Sequence, residues 1–485
     1  MMNLFKKSTL LCLALISLTS CFEDRDDNVV LASGINDFVW KGMNIFYLYK
    51  DEIPDLADDR FTSDADYGNY LNSFSSPESL FESLIFDRQV TDRFSFIVDD
   101  YIALEQSFAG TTKSNGLRYY FFSDPQNASK AILVIRQVVP GSPGATANLK
   151  RGQFITQIDG TDLTPENINS LLSPDSFTLH FANHNDNGTP ETSDDSFTSN
   201  GTTVSLTKTV FTENPIHQSS IIDVNGTKIG YLLYNRFNSN FNQQLNTAFG
   251  TFKSNAIQDL VIDLRYNPGG SVDTARLLAS MVTGQFSGQV FSKLVFNSTL
   301  ESENINYEFV PSFDGTAINS LNLGKVYVLT TASSASASEL LINSLKPYIT
   351  VIQIGETTVG KTQASITIYD SPNFDQNNIN PNHTYAMQPL VANSINVNDQ
   401  AVPGTGLVPD TPLEERVLNL GVFGNVNEPL LAAAIANITG SGRYRPQSQI
   451  DAILMHVPED ESKMQDMFID SDHAPFITRQ HSFNN

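Results

Sequence analysis

The stretch Thr331-Ala-Ser-Ser-Ala-Ser-Ala-Ser-Glu-Leu-Leu-Ile-Asn-Ser-Leu345, followed by Gly355-Glu-Thr-Thr-Val-Gly-Lys361, decides how this chain is read. The apolar run Val326 to Leu329 predicts a strand leading into a turn of small residues. Leu340, Leu341 and Leu345 then predict a helix, and Thr350 to Ile354 a second strand. Small residues at a strand-to-helix turn let the backbone pass close to a ligand, and the helix start leaves N–H groups for an anion. A serine there, with a lysine returned to it by the next strand, has the parts of an activated nucleophile. The same letters also spell a plain capping box, Ser336-x-x-Glu339, which needs no chemistry.

Upstream, Ile229 to Phe237 reads as a strand and Asn240 to Lys253 as an amphipathic helix. Asp259 to Arg265 reads as a buried strand ending in Asn267-Pro-Gly-Gly270, with a helix from Val272 to Met281. Strands alternating with helices predict a βα-organised core. The diglycine alone is a tight turn.

Three segments carry a resemblance: Ser334-Ala-Ser-Ala-Ser-Glu339 with Gly360-Lys361, Asp263-Leu-Arg-x-Asn-Pro-Gly-Gly270, and Gly404-Thr-Gly-Leu-Val-Pro-Asp410. Between about Asp37 and Pro412 the chain resembles the carboxyl-terminal processing (tail-specific) serine peptidases. The resemblance implies Ser336 as nucleophile and Lys361 as general base. It also implies an oxyanion hole from the N–H of Gly269 or Gly270 together with that of Ala337. Where the family commonly has Gly-Lys-Gly-Thr-Val-Gln, with a glutamine orienting the lysine, this chain has Ser365, and Gln363 lies two residues after Lys361. On a strand Lys361, Gln363 and Ser365 would share one face, so Gln363 or Ser365 could orient the base.

A lysine is a base only when neutral, and its ordinary pKa is about 10.4; burial in apolar surroundings favours the neutral form. Val359, Ile366 and Ile368 could supply those surroundings, and Glu356, if it faced Lys361, would oppose them. Two other classes compete with the Ser–Lys endopeptidase. One is a hydrolase with a histidine base, for which His217 is the nearest candidate; the other is a non-catalytic peptide-binding lipoprotein that keeps the fold.

From Gly116 to about Val210 the pattern turns to strands, with Pro140-Gly-Ser-Pro-Gly-Ala-Thr-Ala-Asn-Leu-Lys-Arg-Gly152 and Phe154-Ile-Thr-Gln-Ile-Asp-Gly160. These segments resemble a PDZ module, which binds a peptide as an added strand and holds its terminal carboxylate on backbone N–H groups. The matching loop is Asn115-Gly116-Leu117-Arg118, which implies Gly116 and Leu117 as peptide-binding residues. The polar stretch 183–195 faintly resembles a calcium loop but reads better as a solvated hairpin tip. Trp40 reads as core.

The resulting fold class is α/β multidomain: a small N-terminal helical domain (34–110), a PDZ-like β-rich module (111–212) and a ClpP/crotonase-like βα peptidase core (213–428). A C-terminal extension (429–485) receives no function. Lys6 and Lys7, the apolar run Leu10 to Ile16, and Leu18-Thr-Ser-Cys21 predict a lipoprotein signal peptide (1–20) and lipidation of Cys21. An acidic tether (21–33) would follow, giving a cell-envelope protein anchored to a membrane. Forty per cent hydrophobic residues suffice for real cores, and a formal charge of −24 argues against a nucleic-acid partner. No cofactor and no metal is expected. The expected partners are unfolded or C-terminally tagged polypeptides.

Overall fold

The computed structural model describes residues 34–440, 454–455 and 467–470. The signal peptide, Cys21 and the acidic tether lie outside these residues. The chain divides into two compact units, one of residues 34–45 and 49–86 and a larger one of 46–48 and the described residues from 87 onward.

In the smaller unit the helices Asp64–Asn72 and Pro77–Ser83 begin at Ser63 and Ser76, whose side chains accept from the N–H groups of Asp66 and Ser79. Trp40 is core as expected: its ring meets Phe61 and Tyr67 edge-on at 5.4 and 5.2 Å, and its Nε1 donates to the Asp55 carbonyl at 2.8 Å. The unit ends at Phe86 rather than near 110. The strand Phe96–Val98 and the helix Tyr101–Phe108 belong to the larger unit, where Phe96–Val98 pairs with Ala386–Gln388.

The centre of the larger unit is a six-stranded sheet in the order Ile216–Val224, Thr227–Tyr234, Asp259–Asp263, Lys325–Thr330, Thr350–Gly355, Thr411–Pro412. The first pair is an antiparallel hairpin, and every later pairing is parallel. Parallel neighbours need crossovers; the first three are made through the helices Asn242–Ser254, Val272–Thr283 and Ala337–Leu345, and the fourth runs through strands of other sheets, among them Gln363–Ser365 and Leu390–Ile395. Every residue of Ala337–Leu345 is buried, which fits a sequence apolar on more than one face. The sheet's apolar face packs Tyr231, Leu233, Val261, Tyr327, Leu329 and Ile354 against Leu430, Leu431 and Ala434 of the Pro429–Thr439 helix. That part of the C-terminal extension is therefore core.

A second six-stranded sheet runs Gly270–Ser271, Met467–Phe468, Gln363–Ser365, Leu390–Ile395, Val290–Phe296, Ile305–Glu308. A third is built from Leu117–Asp124, Asn127–Val138, Phe154–Ile158, Ser176–Asn185 and Ser196–Thr207, with Leu454–Met455 on its outer edge. Its core holds Leu117, Leu133, Ile135, Ile155, Leu179 and Phe181. The polar stretch 183–195 forms the end of the Ser176–Asn185 and Ser196–Thr207 hairpin. Its side chains bond one another, as in Thr189 Oγ1 to Asp194 at 2.9 Å.

Candidate active site

In an open parallel sheet, ligands bind beyond the carboxyl ends of the strands. Three of the loops that leave those ends meet here: residues 264–269 after Asp259–Asp263, 331–336 after Lys325–Thr330, and 356–362 after Thr350–Gly355. Hydrogen bonds lace them together. Ala335 N–H donates to the Asn267 carbonyl (3.1 Å), Ser334 Oγ to that of Leu264 (2.8 Å), and Ser338 Oγ to that of Asn267 (3.0 Å). From the third loop, Val359 N–H donates to the Ser334 carbonyl at 3.1 Å.

Ser336 stands at the start of its helix with φ 64° and ψ −115°, a strained combination for a residue with a side chain. This is not the extended backbone that swings a capping hydroxyl over the first turn. Only half of the expected capping box is a real contact: Glu339 Oε2 accepts from Ser336 N–H at 2.8 Å. Ser336 Oγ is buried and has no hydrogen-bond partner among the described residues. Burying a hydroxyl without a partner costs about 1–3 kcal/mol, so this one is not there for stability.

Glu339 does more than close the helix start. Its Oε2 also accepts from Lys361 N–H (2.9 Å), while Oε1 accepts from Gly360 N–H (2.7 Å) and from the Thr358 hydroxyl. One carboxylate oxygen therefore joins the backbones of Ser336 and Lys361, twenty-five positions apart. Burial pushes the Glu339 carboxyl above the ordinary range, against the Thr358 hydroxyl and the three N–H groups that favour its charged form. The sequence reading assigned Glu339 only a cap. The signal that could have found it was the pairing of Ser-x-x-Glu with Gly-Lys, which gives one buried acid several backbone donors.

Lys361 is 1% exposed, and its Nζ lies 5.1 Å from the centre of the Phe94 ring. Arg93, beside Phe94, donates to the Val359, Gly360 and Gly404 carbonyls at 3.3–3.4 Å, holding the lysine loop from the other side. Glu356 does not face Lys361: its carboxylate accepts from the N–H groups of Ala332 (3.2 Å) and Glu415 (3.0 Å).

The orienting face expected of Lys361, Gln363 and Ser365 is not built as predicted. The strand begins only at Gln363, so Lys361 lies in the preceding loop, and a bulge falls between Ala364 and Ser365. The Ser365 hydroxyl is engaged elsewhere, donating to the Met467 carbonyl (3.1 Å) and accepting from Gln388 Nε2 (3.0 Å).

Of the two oxyanion candidates in the diglycine, Gly269 donates its N–H to Asn267 Oδ1 at 2.9 Å and is already used. Gly270 has φ 131°, and an added Cβ would stand 2.0 Å from the Phe237 carbonyl oxygen, so only glycine fits. The N–H of Ala337 is the first orphan donor of its helix.

Under this loop sits an ionic cluster that sequence reading missed. Arg265 is fully buried, held by Asp263 (2.7 Å), Glu415 (2.8 Å) and Glu428 (2.6 Å). Burial would raise the Glu415 carboxyl, but Arg151 and Arg265 beside it outweigh this and hold it down to about 2. Arg151 also donates to Tyr266 Oη at 2.7 Å, reaching from the third sheet to the diglycine loop.

His217 lies beside this cluster and is not in the loops of Ser336 and Lys361. It lies against Phe423, 3.5 Å from Gln137 Nε2, and burial pushes its imidazole down to about 4. The carboxylate cradle expected at Gly116 and Leu117 is closed on itself. Gly116 N–H donates to Ser114 Oγ (3.0 Å) and Leu117 N–H to Asn115 Oδ1 (2.9 Å), so short polar side chains already take both donors. That loop and the loops carrying Pro268 and Ser333 nevertheless open on one cavity of about 400 Å³, lined by Gly116, Leu117, Arg118, Pro268 and Ser333 among others.

Comparison with known proteins gives a consistent result. Residues 228–381 match the model of peptidase family S41, and residues 34–96 that of the peptidase S41 N-terminal domain. A solved structure from Bacteroides fragilis NCTC 9343, titled as an S41 protease, superposes with a TM-score of 0.70 at 27% identity, covering 84% of this chain and 97% of that one. The chloroplastic C-terminal processing peptidase of Tetradesmus obliquus is 26% identical over 271 residues, 53% of each chain. The carboxyl-terminal-processing protease of Picosynechococcus is 24% identical over 265 residues, 54% of this chain and 58% of that one. The chain thus spans about half the length of the curated relatives it matches.

Proposed function

This chain belongs to peptidase family S41, and on that premise we propose that it is a serine endopeptidase working through a Ser336–Lys361 dyad. The observation that carries the reading is the shared Glu339 oxygen, which fixes the backbones of both residues around a buried serine hydroxyl that has no hydrogen-bond partner among the described residues. In the proposed reaction Lys361 Nζ takes the proton as Ser336 Oγ attacks the scissile carbonyl. The N–H groups of Gly270 and Ala337 hold the developing oxyanion, contributing about 3–4 kcal/mol per donor. Collapse of the tetrahedral intermediate expels the amine with the proton from the lysine, and water then hydrolyses the acyl-enzyme by the same steps in reverse.

The third sheet is read as a PDZ-like module and the core as ClpP/crotonase-like. Substrates are then unfolded or C-terminally tagged polypeptides, recruited by their tails. For Gly116 and Leu117 to take a terminal carboxylate, the side chains of Ser114 and Asn115 must first turn away. Lipid anchoring through Cys21 in the cell envelope belongs to the same reading; mass spectrometry should find the mature N-terminus acylated there.

The deciding experiment digests an unfolded, tailed polypeptide with wild type, Ser336→Ala, Lys361→Ala and His217→Ala side by side. The first two substitutions should lower the rate by about 10³-fold or more, and His217→Ala should leave the chemistry nearly intact. Near-wild-type cleavage by Lys361→Ala, or its loss in His217→Ala, would reject the dyad.

A further inference from the structure

The second sheet contains one strand from far away in sequence. Met467–Phe468 enters between Gly270–Ser271, the strand of the diglycine, and Gln363–Ser365, the strand that follows the lysine loop. Both pairings are parallel: Gly270 faces Met467, and Ser271 and Ser365 flank Phe468. The Met467 carbonyl accepts from Ser365 Oγ, and Ile469 N–H donates to the Ser365 carbonyl, both at 3.1 Å. Asp470 accepts from Ser239 Oγ (3.3 Å) and from Ser271 Oγ, while the Phe468 ring stacks on Phe108 at 4.7 Å. Met467 and Ile469 are 1% and 3% exposed.

A slot with a strand edge on each side takes one extended peptide, and main-chain bonds supply the affinity. In a serine peptidase the scissile carbonyl must reach the nucleophile and the oxyanion donors together. A backbone laddered onto Gly270 therefore lies in the place a substrate needs. A second piece of the same tail lies on the other expected ligand edge. Leu454–Met455 pairs antiparallel with Phe122 and Phe121, on the outer edge of the strand that follows the Gly116 loop. PDZ modules add their ligands as a strand on such an edge.

We propose that the C-terminal segment Met467–Asp470 is a built-in ligand of the substrate cleft, seated where an extended peptide substrate binds. This rests on the peptidase reading. Met467 and Ile469 fill subsites for apolar side chains two residues apart, which assigns the preferred substrates the pattern apolar-x-apolar. A substrate must displace the segment, so only part of the population is competent at any moment. The total burial of Ser336 and near-total burial of Lys361 fit a cleft that is filled.

The test uses the full chain with Phe468→Ala and Asp470→Ala together, which removes the ring stack and both serine contacts. Activity on an unfolded polypeptide should rise about fivefold or more in kcat/KM, mainly through a lower KM, as the competent fraction grows. In parallel, both chains carrying Ser336→Ala are titrated with a fluorescent peptide copying residues 463–473. It should bind the loosened chain and not its parent, and a copy with Asp in place of Met467 and Ile469 should bind neither. A lowered melting temperature with unchanged kcat/KM and no peptide binding would make the strand a fixed sheet member and overturn the inference. Peptide binding with no cleavage by either chain would keep the tail ligand and sink the peptidase reading instead.

Discussion

Glu339 and Glu415 are both buried glutamates, and their surroundings push them in opposite directions. Glu415 lies between Arg151 and Arg265 and is held down to about 2. Glu339 is satisfied by three backbone N–H groups and a hydroxyl, and burial raises it. The first arrangement fixes charge with charge and makes a rigid base for the diglycine loop. The second leaves an acid whose partners include the backbones of Ser336 and Lys361 themselves. The difference teaches that this site separates support from positioning, with full charges kept in the layer beneath.

The heaviest blow to the charged layer is Arg265→Ala, which leaves Asp263, Glu415 and Glu428 buried together without their shared cation. Breaking one buried pair costs about 3–5 kcal/mol, and three acids meet at this arginine. We expect a chain that does not accumulate folded, measured by solubility and circular dichroism. A stable, folded Arg265→Ala protein would show that Arg151 alone can carry the cluster.

Gly270→Ala strikes the boundary between the two layers. The new Cβ would meet the Phe237 carbonyl oxygen at 2.0 Å in a conformation that favours glycine. Cleavage should fall by about 10²-fold or more while the far-UV signal stays near wild type, because the strain displaces the proposed oxyanion donor. A fully active variant would take Gly270 out of the oxyanion hole.

How much of this was legible in sequence can be judged residue by residue. Ser336, Lys361 and the diglycine stood out because short motifs demand small residues and fixed spacings, and the βα alternation around them followed from apolar runs. Glu339 passed as a cap because its other partners, Gly360 and Lys361, come from a different loop. Arg265 was visible only as a motif letter, since its acids sit 150 and 163 positions further along. The orienting role offered to Gln363 or Ser365 assumed an unbroken strand from Lys361, and a bulge is not written in local pattern. Met467–Phe468 is too short to announce itself as a strand at all.

Glu339→Gln tests the positioning side. An amide offers one acceptor where two backbone N–H groups meet Oε2, and its NH₂ would face donors, so at least one buried N–H loses its partner. That costs about 1–3 kcal/mol, and we expect kcat to fall about 10–10²-fold with KM little changed; Glu339→Asp, which keeps the charge, should recover part of the loss. A drop in melting temperature without a drop in kcat would reduce Glu339 to a structural cap.

The pH dependence of stability sharpens the contrast between the two acids. Glu415 is lower in the folded chain than its unfolded value of 4.5, so its contribution is present above pH 4.5 and is lost as pH falls toward about 2. The size is about 3 kcal/mol by linkage. Glu339 is raised, so its contribution has the opposite sign: it is complete below the unfolded value and is lost as pH rises through the folded one. Between pH 4.5 and 2 wild type should therefore lose stability as Glu415 predicts, while above pH 4.5 Glu339 should make it gain stability as the pH falls, a gain that Glu339→Gln removes without changing the acid loss. Denaturant unfolding from neutral pH down to pH 2, for wild type, Glu339→Gln and Glu415→Gln, separates the two. Glu415→Gln should start lower at neutral pH and flatten in acid. If its acid slope matched wild type instead, the charge of Glu415 would not be what holds the layer beneath the diglycine loop.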